Sequence, residues 1–163
     1  MSEVSNYQQN IQDFQEFIRN ACIEKVTFDE DLNPAFDKGR LPFTFKYCFS
    51  ATFHTNKGKY KLHTSQTSEA LDVLWAKPIE SFGRITSEKY INEKIKEISC
   101  ETGYDQWVYK LTIEFDNCVL LFYAAEIYDT IEGEYEIKIN DEMLLVFESK
   151  SEARKLEAII DAA

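Results

Sequence analysis

Carboxylates are the chemical group this chain concentrates. Between Glu114 and Glu148 stand ten acidic residues against one lysine, Lys138, whereas residues 1–84 carry eleven acids and ten bases. The formal net charge of −11 therefore lies almost wholly in the second half. Glu126, Asp129, Glu132, Glu134, Glu136, Asp141 and Glu142 fall on two short connections and the strand between them. Alternation puts Glu134 and Glu136 on one face of that strand, and the connections extend the patch along it. Two chemistries suit such a set. A carboxylate pair does general acid–base work when one member is partly buried and its pKa raised. Glu126, ending an apolar run, is the candidate for that, although a glutamate at a strand's solvent end is more often simply hydrated. Spread carboxylates instead attract a basic surface, with Tyr128 as the aromatic anchor among them. The plain counter-reading is that acids solubilise an exposed sheet face and blunt its edges. Ten acids to one base is more than solubility needs, so a basic protein partner is expected, and nucleic acid and anionic membrane are disfavoured.

Other constellations are thin. His54 and His63 are the chain's two histidines, and their expected place on one face of a hairpin brings no thiolate or carboxylate to complete a tetrahedral zinc site. No metal ligand set and no cofactor is expected. No G-x-S-x-G elbow or glycine-rich phosphate loop occurs, and Cys48 near His63 reads as a structural thiol beside a solvated ring. No catalytic residue is assigned and a non-enzymatic protein is expected. Cys22, Cys48, Cys100 and Cys118 form no CxxC pair and read as reduced, small apolar residues.

The elements that must position the acids follow from periodicity. Ser5 with Gln8 reads as a capping box, and Tyr7, Ile11, Phe14, Ile18 and Cys22 make one apolar helical stripe. Residues 29–42 read as a loop. Phe43, Phe45, Tyr47, Phe49, Ala51 and Phe53 alternate with polar residues, which predicts a half-buried strand with a single aromatic face. A turn centred on Lys57-Gly58 then pairs Phe53 with Leu62 and Ala51 with Thr64, leaving Lys46, His54, Lys59, Lys61 and His63 outward. Ser68 caps a short helix through Ala70, Leu71 and Leu74 that Pro78 ends. A helical turn is expected at 87–92 and a strand at about 94–101. Strands follow over 107–115, 118–128, 135–139 and 143–147, the second apolar on both parities as in a strand covered on both faces. Ser149 and Glu152 open a terminal helix carrying Ala153, Leu156, Ile159 and Ile160. The outline is one α+β domain over 1–163, with a helix at each end packed on a largely antiparallel sheet of six to seven strands.

The start of the chain lacks a signal-peptide pattern, and its longest apolar run, Cys118 to Ala125, is far shorter than a bilayer span, so a cytoplasmic protein is expected. The segments YKLTIEFDN (109–117) and EIKINDEMLLVF (136–147), with the apolar strand between them and the short helix after, resemble small bacterial immunity proteins. These are the cognate inhibitors of polymorphic or contact-dependent toxins. The resemblance implies tight binding to one toxin domain, often a nuclease with a basic active-site face, and it carries over no fixed binding residue. Two other readings stand beside it. One is a phage-borne inhibitor that imitates nucleic-acid charge. The other is a small-ligand module or enzyme with the aromatic face of 43–53 lining a pocket, although those rings suit a core better.

Overall fold

A computed structural model describes residues 2–79, 84–130 and 133–162. The order is α1 (Glu3–Arg19), β1 (Cys22–Glu30), β2 (Lys46–Thr55), β3 (Gly58–Gln66), β4 (Asp72–Ile79), β5 (Ser87–Lys94), β6 (Glu97–Tyr104), β7 (Trp107–Glu114), β8 (Val119–Asp129), β9 (Tyr135–Ile139), β10 (Met143–Phe147) and α2 (Lys150–Ala162). Every strand pair is antiparallel. The main path runs β4-β3-β2-β10-β8-β7-β6, with β1 on β2, β5 on β1 and β9 on β8. The expected α+β architecture, a main sheet of seven strands with a helix from each end, is what forms.

The sheet separates two cores, and β8 shows why it is apolar on both parities. Its Leu120, Phe122 and Ala124 face the core that α1 covers, and Leu121, Tyr123, Ala125 and Ile127 face the one that α2 covers. Tyr7, Ile11, Phe14 and Ile18 form the buried stripe of α1, as the helical spacing predicts. Its cap is Ser2, whose hydroxyl accepts from the Ser5 amide at 3.1 Å, so the capping box expected at Ser5 is displaced by one turn. Cys22 lies beyond the helix and opens β1. Ser149 does cap α2, but Glu152 turns its carboxylate to the Thr44 amide at 2.9 Å and so ties the loop before β2 onto the helix.

The expected aromatic face of 43–53 is split. Asp29 pairs with Ser50 and Glu30 with Cys48, so Phe49 is the extra residue of a bulge. Before it, Phe43, Phe45 and Tyr47 face the α2 core; after it, Ala51 and Phe53 face the α1 core. Phe49 itself is left 48% exposed. The hairpin is also tighter than expected. Phe53 pairs with Tyr60 and Ala51 with Leu62, a two-residue shift that keeps every side chain on its face. Thr55 closes the turn, its hydroxyl accepting from the Lys57 amide at 3.0 Å and donating to the Gly58 carbonyl at 2.8 Å.

Two local expectations fail, at 68–78 and at 87–92, and a strand forms where none was expected, taking in Asp29 and Glu30 of the expected loop. Residues 22–30 form β1, whose register shift between Ile23 and Lys25 breaks the alternation of Ile23, Val26 and Phe28. The segment expected as a helix from Ser68 is instead a turn leading into β4, with Ala70 at φ 62°. Pro78 is tolerated there because β4 ends the sheet path and pairs only with β3. Residues 87–94 form β5 along β1 rather than a helical turn, and the strand expected after it is β6.

Candidate functional site

The acidic residues meet where β8 runs beyond β7 and is flanked by β9. Ala125 has Ile139 on one side and Met143 on the other, so β9 and β10 flank β8 there. Glu126 pairs with Lys138 and Tyr128 with Glu136, which puts these four residues on one face. Asn140 forms the return. With φ 55° it takes the left-handed conformation that asparagine tolerates, and its amide donates to the Ala124 carbonyl at 2.8 Å. Its side chain donates to the Asp72 carbonyl at 3.0 Å while the Asp72 amide donates to the Asn140 carbonyl at 3.0 Å. That clasp fastens the start of β4 to the β9–β10 turn. Thr64 adds a second tie, its hydroxyl donating to the Glu142 carbonyl at 2.5 Å.

Tyr128 stands at the centre. Its hydroxyl lies 2.9 Å from Glu126 Oε2 and 2.8 Å from Asp141 Oδ2, two residues from different strands and turns. A phenol carries one proton and donates to one carboxylate at a time. The charges of Glu126 and Asp141 oppose each other, and a proton on either carboxyl relieves them. Burial, then the charges of Asp141 and Glu142, push the Glu126 carboxyl from 4.5 up to about 7. Asp72 is raised in the same direction by burial and then by Asp141 and Glu142. Burial and the two flanking carboxylates also hold the Tyr128 phenol well above its ordinary range. Lys138 is placed against this face, its Nζ 5.3 Å from the Tyr128 ring centre and 3.9 Å from Glu136.

The structure sorts the expected residues. Glu126, Tyr128 and Asp141 are brought into one hydrogen-bonded cluster, with Glu136 beside it and Glu142 close enough to act by charge. Asp129 pairs with Tyr135 on the opposite face, and Glu134 lies on the turn before β9, its amide donating to Thr130 Oγ1. Glu132 lies outside the described residues. Glu114 and Glu148, the ends of the acidic stretch, are paired with Lys150 and Lys89 and take no part. Asp72 is the member that sequence reasoning missed, because it stands over fifty residues away in a segment read as helix.

The other constellations come apart. His54 pairs with Lys59 and His63 with Ser50, four positions or roughly 13 Å apart along the hairpin, too far to share an ion. His54 is buried with Nε2 2.9 Å from Thr27 Oγ1, and burial holds both imidazoles below their ordinary range. Cys48 faces the α1 core because of the bulge, away from His63. All four cysteines are free, and burial pushes the Cys100 thiol up to about 11. Among the described residues no three His, Cys, Asp or Glu side chains are grouped to hold a metal ion, and no helix is long and apolar enough to cross a membrane. Comparison with family models, with curated proteins and with solved structures finds no match to this chain.

Proposed function

We propose that this chain is a cytoplasmic, non-enzymatic inhibitor that captures a basic protein, an immunity protein whose cognate toxin presents lysines and arginines. The observation that carries the reading is the Tyr128 hydroxyl set between Glu126 and Asp141. Carboxylates crowded in this way repel one another in the free protein, and an arriving cation relieves that repulsion while gaining a charge-assisted hydrogen bond. Tyr128, 37% exposed, supplies the apolar contact beside the charges. The binding face comprises Glu126, Tyr128, Glu136, Asp141 and Glu142, with Glu134 at its rim, where charge speeds association more than it tightens it, and Asp129 falls outside it. Occlusion is the mechanism: the carboxylates occupy residues that would otherwise hold phosphate.

The test is affinity capture from native lysate with the wild-type chain and with the double variant Glu136→Lys and Glu142→Lys. A single stoichiometric basic protein, released by salt and lost from the variant, supports the reading. Equal capture by both refutes it. Competition by duplex DNA-binding proteins of unrelated fold assigns the phage-type nucleic-acid mimic instead. Glu126 titrating near neutral pH favours one second reading, a carboxylate pair acting as general acid and base. Under that reading Glu126→Gln abolishes a turnover that Glu136→Lys leaves intact.

A further inference from the structure

A cavity of about 440 Å³ opens where the start of α1 meets the β3–β4 turn and the start of β7, with Glu3, Tyr7, Thr67, Trp75 and Trp107 in its lining. Three aromatic rings converge there. The Tyr7 ring lies 6.0 Å from Trp75 and nearly parallel to it, at 29°, and 5.2 Å from Trp107. Tyr7 and Trp107, 2% and 1% exposed, form the floor, and the half-buried Trp75 is the wall open to a ligand. The frame is rigid. Tyr7 donates its hydroxyl proton to the Leu74 carbonyl at 2.8 Å. Asn10 holds both sides of Ala76, donating to its carbonyl at 2.6 Å and accepting from its amide at 3.1 Å.

The cleft carries one carboxylate in its lining, Glu3, and a second, Glu69, is bound to the indole of a lining ring. Glu3 accepts from the Ser68 amide at 2.9 Å and the Ser68 hydroxyl at 2.7 Å, and Glu69 accepts from the Trp107 indole N–H at 3.2 Å. Neither carboxylate forms an ion pair among the described residues. Aromatic faces carry negative charge density, and an indole whose N–H is held by a carboxylate is polarised further in that direction. Glu3 also offsets the positive end of the α1 dipole, which would otherwise repel a cation. An anion is excluded by the carboxylates. A bare metal ion lacks ligands, since these carboxylates are engaged by Ser68 and Trp107. A cation with an apolar shell satisfies both the rings and Glu3.

We infer that this cleft binds an alkylated ammonium group, its methyl or methylene shell against Trp75 and its charge toward Glu3, with the Glu69 carboxylate acting at longer range through its bond to Trp107. The same chemistry is offered by a free quaternary amine and by a methylated lysine side chain. The chain's two tryptophans are Trp75 and Trp107, so intrinsic fluorescence reads this cleft directly. The intact chain is titrated with choline, with its neutral isostere 3,3-dimethylbutan-1-ol, and with a short peptide containing Nε-trimethyl-lysine. A saturable emission change is expected with at least one of the cations, roughly fivefold or more tighter than with the neutral isostere. Choline alone assigns a free metabolite; the peptide assigns a protein-borne group.

Calorimetry on two variants locates the site. Trp75→Leu is expected to abolish binding. Glu69→Gln keeps an oxygen to accept from Trp107 and loses only the charge, so it is expected to melt like the wild type and bind about threefold or more weakly. Equal binding of the neutral isostere overturns the proposal. So does a lack of saturation by either cation up to roughly 10 mM, or undiminished binding by a normally folded Glu69→Gln.

Discussion

Replacing Glu126 by glutamine tests whether the acidic cluster stores repulsion. The glutamine keeps an oxygen for the Tyr128 hydroxyl, which lies 2.9 Å from Glu126 Oε2, and removes the charge that Asp141 and Glu142 oppose. Pushing a carboxyl from 4.5 to about 7 corresponds to about 3.4 kcal/mol at about 1.36 kcal/mol per pH unit. Glu126 is partly open to water, so screening leaves roughly a third of that, about 1 kcal/mol. The sign follows from the direction. An acid whose pKa is raised by folding favours the folded state while it is protonated, fully so below 4.5, and that contribution is lost as pH rises through about 7. Urea unfolding of both proteins at pH 5, 6, 7 and 8 isolates this group as a difference between two curves. The variant is expected to gain about 1 kcal/mol on the wild type between pH 5 and pH 8. A difference that does not change with pH, or one that falls, refutes the stored repulsion. Affinity for a basic partner runs the other way. The wild type is expected to bind more tightly at pH 8 than at pH 6, because a cation draws the proton off Glu126, and Glu126→Gln flattens that dependence.

Phe45→Ala is expected to cost about 3–5 kcal/mol, because its ring packs against Phe43 and Phe147 in the α2 core, whereas Phe49→Ala at the bulge stays within about 0.5 kcal/mol; chemical denaturation separates them. Gly103→Ala brings a methyl to 2.7 Å from Ile139 Cδ1 and 2.8 Å from Asn140 Oδ1, and the melting curve is expected to show a loss of about 1–3 kcal/mol. Asn140→Gly keeps the turn but removes the amide that holds Asp72, so a loss of about 1 kcal/mol is expected by urea unfolding, together with weaker partner capture. The Glu136→Lys and Glu142→Lys pair, both exposed, is expected to leave stability within about 0.5 kcal/mol of wild type while changing the salt dependence of capture.

Local periodicity determined a good part of this molecule. The apolar stripe of α1, the two-sided burial of β8, and the turns and strands from Trp107 to Phe147 are legible because burial on one or both faces imposes a period that sequence must obey. The clustering of acids near Glu126 and Tyr128 was legible too, since those residues lie on strands that are consecutive in the chain. Tertiary structure decided the rest. β1 and β5 are strands because distant edges satisfy their backbone groups, β4 because it folds back on β3, and the register shift after Ile23 breaks the alternation that would have announced β1. The phase change at Phe49 sends Cys48 and His63 to opposite faces, and a turn one residue earlier separates His54 from His63. Asp72 reaches the acidic cluster only through its clasp with Asn140, and the Tyr7, Trp75 and Trp107 rings meet only because α1 lies across β4 and β7. Pairings such as Ile23 with Glu93, or the clasp of Asn140 on Asp72, join residues some seventy positions apart and leave no local period, whereas Asp141 and Glu142, whose charges raise Glu126, come from the turn that follows β9.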